Sequence, residues 1–376
     1  MKIIGIKAEG LPLFKNGIEI GFTATQRVTE DDKMVLHNLF SNVYLNPTEA
    51  IIGINASGKT SVLKLILLAL GIVNNEPINH IEVKDILGKT RDAVITICFY
   101  SQKCLYKLTT SIRCKDGRYI ITDEKLWKKQ VELIKTRKAM QEFDDSMVIA
   151  TRHDDEEFLS DDVSIIIALN KKNKDQMFIE DMLSFTNVNV LPASEAIPVP
   201  VIAFLDPTVE QLSFEAQNGK ELIHLRFKNQ NEILLNNSRE LENYLSSGTI
   251  KGIIVFTKAM EVLRQGGYMV VDEIENHFNK EIVATLMRFF MDGKLNKHGA
   301  VLIFSTHYPE LLDEYDRNDS IYITRNKDGI ELQSLTEKLN RNDIKRSDAY
   351  QSGLLEGTTP AYEAFMQLKN SISAFV

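Results

Sequence analysis

Gly53-Ile54-Asn55-Ala56-Ser57-Gly58-Lys59-Thr60 stands between a short apolar run, Ala50-Ile51-Ile52, and a longer one, Ser61 to Leu70. The spacing is a glycine, four residues, then glycine, lysine and a hydroxyl. Glycines let the backbone curl until successive N–H groups point inward, which makes a cradle for phosphate oxygens. A helix beginning just after the loop adds its positive end to the same spot. Lys59 then reaches the outer phosphates, and the Thr60 hydroxyl is an oxygen ligand for Mg²⁺. Gly53, Asn55, Ala56, Ser57, Gly58, Lys59, Thr60 and Ser61 are the candidate phosphate-binding residues. A chance turn of this spelling would lack the strand before it and the apolar helix after it.

Two later segments complete the pattern. Tyr268-Met269-Val270-Val271 reads as a buried strand running into Asp272-Glu273. A carboxylate there can hold the Mg²⁺ shell, the role expected of Asp272, while Glu273 can polarise an attacking water as general base. Ala300 to Phe304 is a second buried strand, ending in Ser305-Thr306-His307. Polar residues at the carboxyl end of a parallel strand sit where open α/β sheets bind ligands, so His307 is expected near the terminal phosphate. Continuous apolar runs alternating with helices, such as Lys280 to Met291, predict a mostly parallel sheet covered on both faces.

Working outward, residues 2–22 alternate around turn signals at Gly10 and Asn16-Gly17 and predict an antiparallel pair. Residues 93–122 are a series of β-type runs. The composition changes at Asp123: 123–143 read as a basic helix carrying Lys125, Trp127, Lys128, Lys129, Lys135, Arg137 and Lys138, 144–162 as an acidic run, and 163–190 as helical. Val199 to Leu205 reads as an apolar strand returning to the core. The expected organisation is therefore 1–122, a helical insertion over 123–198, a second core segment over 199–332, and a helical tail over 333–376. The basic cluster reads as a solvated face answering the acidic run, with contact to a phosphate backbone as the alternative.

The 376 residues carry a net charge of −8, which argues against a general polyanion binder. No apolar run approaches the ~20 residues that span a bilayer, and Met1 leads into an alternating segment unlike a secretory signal. The three cysteines, Cys98, Cys104 and Cys114, fall in alternating strand-like segments without metal-ligand spacing. A cytoplasmic protein with no membrane contact is the expectation.

Leu245-Ser246-Ser247-Gly248-Thr249 precedes the Asp-Glu strand. Alone it would read as a serine-capped helix start. In this order it resembles the ABC signature Leu-Ser-Gly-Gly-Gln, departing from it at Ser247 and Thr249 as the SMC-like and OLD-like branch does. The stretches from Asp272 to Phe278 and Phe304 to Leu312, and the late Gly357-Thr358-Thr359-Pro360, are similar to ATPases of bacterial phage-defence systems of the OLD, AbiL, PARIS and Septu kinds. The resemblance implies a P-loop NTPase of ABC type, with an α/β core, an antiparallel β lobe, and ATP and Mg²⁺ as cofactors. It also implies that Ser246 and Gly248 act in trans on nucleotide held by a second copy, in a homodimer or higher even-numbered oligomer. The Q-loop glutamine has no settled position: Gln102 after the Tyr100 strand is one candidate, and the segment after Phe204 offers only Asp206. The adenine-stacking aromatic is Phe22, Phe40 or Tyr44.

Three functions compete on these grounds. A defence ATPase that controls a separate effector protein, such as a nuclease, is favoured by the late motifs, with 123–198 as the expected docking place. A DNA-handling ATPase of RecF/SMC kind would bind DNA directly. A transporter motor would need a full signature and a clear Q-loop.

Overall fold

A computed structural model describes residues 1–134, 136–152, 159–184, 191, 197–217, 220–276, 278–339, 344–355 and 362–375. Strands β1 (Lys2–Glu9) and β2 (Ile18–Gly21) form the antiparallel pair expected of residues 2–22. The short α1 (Asp32–Val35), β3 (His37–Phe40) and β4 (Val43–Leu45) then lead to β5 (Thr48–Ile52) and the long α2 (Lys59–Val73). Next come β6 (Ala93–Ser101), β7 (Cys104–Lys115), β8 (Arg118–Gln130), α3 (Arg137–Gln141), β9 (Val148–Thr151), α4 (Ile167–Asn173) and β10 (Ile179–Met182). Helix α5 (Val199–Leu205) precedes a three-stranded antiparallel sheet of β11 (Val209–Gln217), β12 (Lys220–Phe227) and β13 (Ile233–Leu235). The chain continues through α6 (Ser247–Gln265), β14 (Tyr268–Val271), α7 (Lys280–Met291), β15 (Val301–Thr306), β16 (Ile321–Asn326) and β17 (Ile330–Ser334). It ends in α8 (Leu335–Lys338), α9 (Arg346–Gln351) and α10 (Tyr362–Phe375).

The core sheet runs β10-β14-β15-β5-β16-β17, parallel throughout except for the β16–β17 pair. Residues 268–271, 301–306 and 48–52 are buried along their whole length, which is why their sequences are continuous apolar runs and not alternations. One face of this sheet packs on α2, whose residues from Val62 to Val73 are buried except Lys64, and beyond it on the antiparallel sheet. The other face packs on α6 and α7 through Val255, Phe256, Met287 and Phe290. This mixed α/β architecture with a largely parallel sheet is that of a P-loop NTPase.

The antiparallel sheet runs β2-β1-β6-β7-β8-β9. Here the sequence expectation fails at one strand. Lys125, Trp127, Lys128 and Lys129 lie not on a helix but on β8, paired with β7 from Cys104↔Gln130 to Lys115↔Arg118. The reason is the cross-strand fit: Leu126 enters the core, while Lys107 lies 3.9 Å over the Trp127 ring and the buried Lys129 ammonium is held by backbone carbonyls of Ala139 and Glu142. Helix begins only at α3, with Arg137 and Lys138; Lys135 lies outside the described residues. Residues 123–198 are also tied to both large sheets, because Ile179–Met182, read as helical, is the β10 edge strand beside β14.

The segment Val199–Leu205 is likewise a helix, α5, and not a strand. Pro200 sits in its first turn, where the missing N–H has no intrahelical role and the fixed φ suits the helix. Cys98 on β6, and Cys104 and Cys114 on β7, are strand residues. Asp154, Asp155, Glu156 and Glu157 of the acidic run, His277, and the Gly357-Thr358-Thr359-Pro360 motif lie outside the described residues. No helix among the described residues is long and apolar enough to cross a membrane.

Candidate nucleotide site

The loop between β5 and α2 has the curl its glycines foreshadow. Ala56 has φ +61° and Gly58 φ +102°, both in the left-handed region, and Gly58 caps α2. A Cβ on Gly58 would also lie within 2.7 Å of the Ile330 side chain. A Cβ on Gly53 would lie 2.3 Å from Ser57 Oγ and 2.4 Å from Thr324 Oγ1. Ser57 itself is tied to Thr324 of β16 at 2.7 Å, and the Asn326 amide donates to the Ala56 carbonyl at 3.2 Å. The β16–β17 hairpin thus backs the loop from behind, while Asn55 and Ala56 face outward and Ser61 lies in the first turn of α2 after Thr60.

Three strand ends bring the remaining groups to this loop. Lys59 is 6% exposed; its ammonium donates to the carbonyls of Gly53 at 3.0 Å and Ile54 at 3.3 Å and lies 3.4 Å from His307 Nδ1. Burial pulls its pKa below the ordinary lysine value, against the opposing pull of Asp272, Glu273 and Glu275. The Thr60 hydroxyl donates to Asp272 Oδ2 at 2.7 Å. Glu273 Oε1 lies 3.6 Å from His307 Nε2. Lys59, Thr60, Asp272, Glu273 and His307 are therefore one constellation at the carboxyl ends of β5, β14 and β15.

Residues the sequence singled out without a role hold this constellation in shape. Ser305 donates its hydroxyl proton to Asp272 Oδ1, accepts the Glu273 N–H at 2.7 Å, and accepts the Ile274 N–H on its carbonyl at 3.1 Å. The clamp matters because Glu273 has φ +47°, a conformation that costs a non-glycine residue about 1 kcal/mol or more. The Asn276 amide donates to Glu273 Oε2 at 2.7 Å, and Glu275 Oε1 accepts the His307 N–H at 2.5 Å. Glu275 is 5% exposed and its Oε2 is buried without a hydrogen-bond partner among the described residues. Only the crowding of acids in Asp272-Glu273-Ile274-Glu275 hinted at these supports.

Ser246 and Gly248 are not part of this cluster: among the described residues no hydrogen bond joins them to the phosphate loop. Ser246 caps α6, its Oγ accepting the Thr249 N–H at 3.0 Å. Helix α6 runs down to Gly266-Gly267 and the start of β14, so its own start lies toward the side where β14 ends. Gln102 sits in the β6–β7 turn, next to Tyr100, which pairs with Lys2. Lys2 in turn caps the carbonyls of Gly266 and Gly299, before β14 and β15 begin. That is the far end of the core sheet, which makes Gln102 a poor Q-loop candidate. Asp206 is the C-cap of α5 and holds Thr208. Phe22, Phe40 and Tyr44 are all buried, Tyr44 just ahead of the β5 start, so none offers a free ring at the loop.

The sequence profile of the family described as "AAA domain, putative AbiEii toxin, Type IV TA system" matches residues 50–313. The chain belongs to this family. Its AAA domain thus runs from β5 through the stretch after β15 and contains every residue of the constellation. A search of curated proteins found no match. An AAA domain of this family implies nucleotide binding, usually with Mg²⁺, and the donor set here fits that ion. The Thr60 hydroxyl and Asp272 carboxylate are adjacent hard oxygens beside the glycine-bearing loop, the kind of donor Mg²⁺ takes.

Proposed function

We propose that this protein binds and hydrolyses ATP as a nucleotide-sandwiched dimer, and serves as the regulatory ATPase of an abortive-infection or anti-phage system that controls a separate effector. The observation that carries the ATPase reading is the convergence of Lys59, Asp272, Glu273 and His307 on one phosphate-shaped loop. The family's description as a toxin-associated AAA domain supports the defence context.

In this reading the loop N–H groups and the start of α2 bind the phosphates. Lys59 exchanges its two carbonyl partners for phosphate oxygens. Thr60 and Asp272 hold Mg²⁺, which supplies charge neutralisation on the transferred phosphate. Glu273 orients the water and takes its proton, with its carboxylate aimed by Asn276 and steadied by His307. His307, 3.4 Å from Lys59 and 3.6 Å from Glu273, joins the phosphate cation to the base. Ser246 and Gly248, exposed or half-buried at the start of α6, close the site of a second copy.

The test is the mass of the Glu273→Gln variant in solution with ATP, with ADP and without nucleotide. A dimer that persists with ATP alone is expected. A monomer under all three conditions, with ATP demonstrably bound, would refute the sandwich.

A further inference from the structure

At the opposite end of the core sheet, two cavities of about 280 and about 410 Å³ share Lys33 and Tyr44 in their walls. The smaller is bounded by the α1–β3 segment and the α7–β15 loop and includes His37 and Lys297. The larger is bounded by the β3–β4 turn and includes Arg27 and Asn42. Neither wall contains a carboxylate among the described residues, although the chain carries a net charge of −8.

Of the nearby acids, Asp32 is turned away, accepting from Arg317 at 3.0 Å and from Thr29, while Glu30 pairs with the wall residue Lys33 at 2.6 Å. Arg27 and Lys297 have no carboxylate partner among the described residues. Gathering this many cations around one concavity is unfavourable for the chain alone and favourable once an anion enters.

The neutral part of the lining narrows the anion. Tyr44 gives an apolar wall between the cavities, and Asn38 and Asn42 offer amides that both donate and accept. The combined space is in the range of pockets that take small organic ligands. We propose that this cleft binds a nucleoside phosphate, either free or as part of a single strand of nucleic acid. The site is separate from the phosphate loop: it lies ahead of β5 and β15, whereas Lys59 and His307 lie beyond their ends.

The test uses the full chain carrying Lys59→Ala, so that no arm depends on ATP binding at the phosphate loop. Labelled single-stranded oligothymidylate and free thymidine monophosphate are the probes, with oligoglutamate as the acidic-peptide arm. Binding of a thymidylate probe that weakens with salt, and weakens at least about ten-fold in Arg27→Glu/Lys297→Glu, is expected. The milder Arg27→Gln/Lys297→Gln pair should fall between. Equal affinity for strand and monophosphate assigns a free nucleotide; a much tighter strand assigns nucleic acid. Failure of both thymidylate probes to bind, affinity unchanged by the charge reversals, or binding of oligoglutamate alone would overturn the proposal.

Discussion

Two glutamates of the core sheet, one on β5 and one just past β14 with β15 between them, have opposite circumstances. Glu49 lies near the start of β5 and is wholly buried; among the described residues only Asn46 donates to it, at 3.0 Å, and its Oε2 has no partner. Burial drives its pKa well above the ordinary carboxylate value, which favours the neutral acid. Glu273 lies just beyond β14, with its side chain 44% exposed and in reach of His307 and Asn276. The same functional group is a concealed structural element at one end of a parallel sheet and, in the proposed reaction, a reagent at the other. What separates them is access to water and the strand end on which each sits, the end where ligands bind in open α/β sheets.

If that contrast is right, changes at the two ends should differ in kind. The largest effect is expected from Lys59→Ala. It removes the one side-chain cation among the described residues that touches the phosphate loop, and ATP affinity should fall by about 10²-fold or more by calorimetry. Unchanged affinity would detach the loop from nucleotide binding.

Glu273→Gln should retain ATP and slow turnover by about 10²-fold, as loss of a general base does. Turnover at the unmodified rate would move the base elsewhere.

Ser305→Ala tests the clamp. With Asp272 and the left-handed Glu273 backbone released, kcat should fall by about ten-fold while ATP affinity measured without turnover holds. Loss of affinity and kcat together would mean that Ser305 supports the fold and not the geometry of the two acids.

At the other end, Glu49→Gln should leave hydrolysis alone and change stability. Because the folded pKa is raised, the stability that goes with the protonated acid is fully present below the unfolded value of 4.5 and is lost as pH climbs toward the folded one. The variant should therefore melt like the parent near pH 4.5 and gain stability over it as the pH rises toward neutral. An advantage independent of pH would mean that burial does not raise the Glu49 pKa.

The contrast also explains what was legible beforehand. The reactive end announces itself because its chemistry is spelled in contiguous residues, Gly53 to Thr60, Asp272-Glu273 and Ser305 to His307, each attached to a wholly apolar strand. Ser305's clamp was not legible, since it depends on the positive φ of Glu273. Glu49 gave no signal, because one acid in Thr48-Glu49-Ala50 looks solvated until β15 and β16 flank it. In β8, six of thirteen residues are acidic or basic and the run of lysines suggested a helix. Pairing with β7 across twelve positions, with Lys107 over Trp127, overrides that local preference. The cationic cleft is assembled from residues as far apart as Arg27 and Lys297, so no window of sequence contains it.

The central claim is that one catalytic site is built from two copies, Lys59 from one and Ser246 from the other. Lys59→Ala and Ser246→Arg, each inactive alone, should regain partial ATPase activity when mixed, because each mixed dimer holds one site with both lesions and one with neither. No recovery at any mixing ratio, in a sample where mixed dimers demonstrably form, would contradict it.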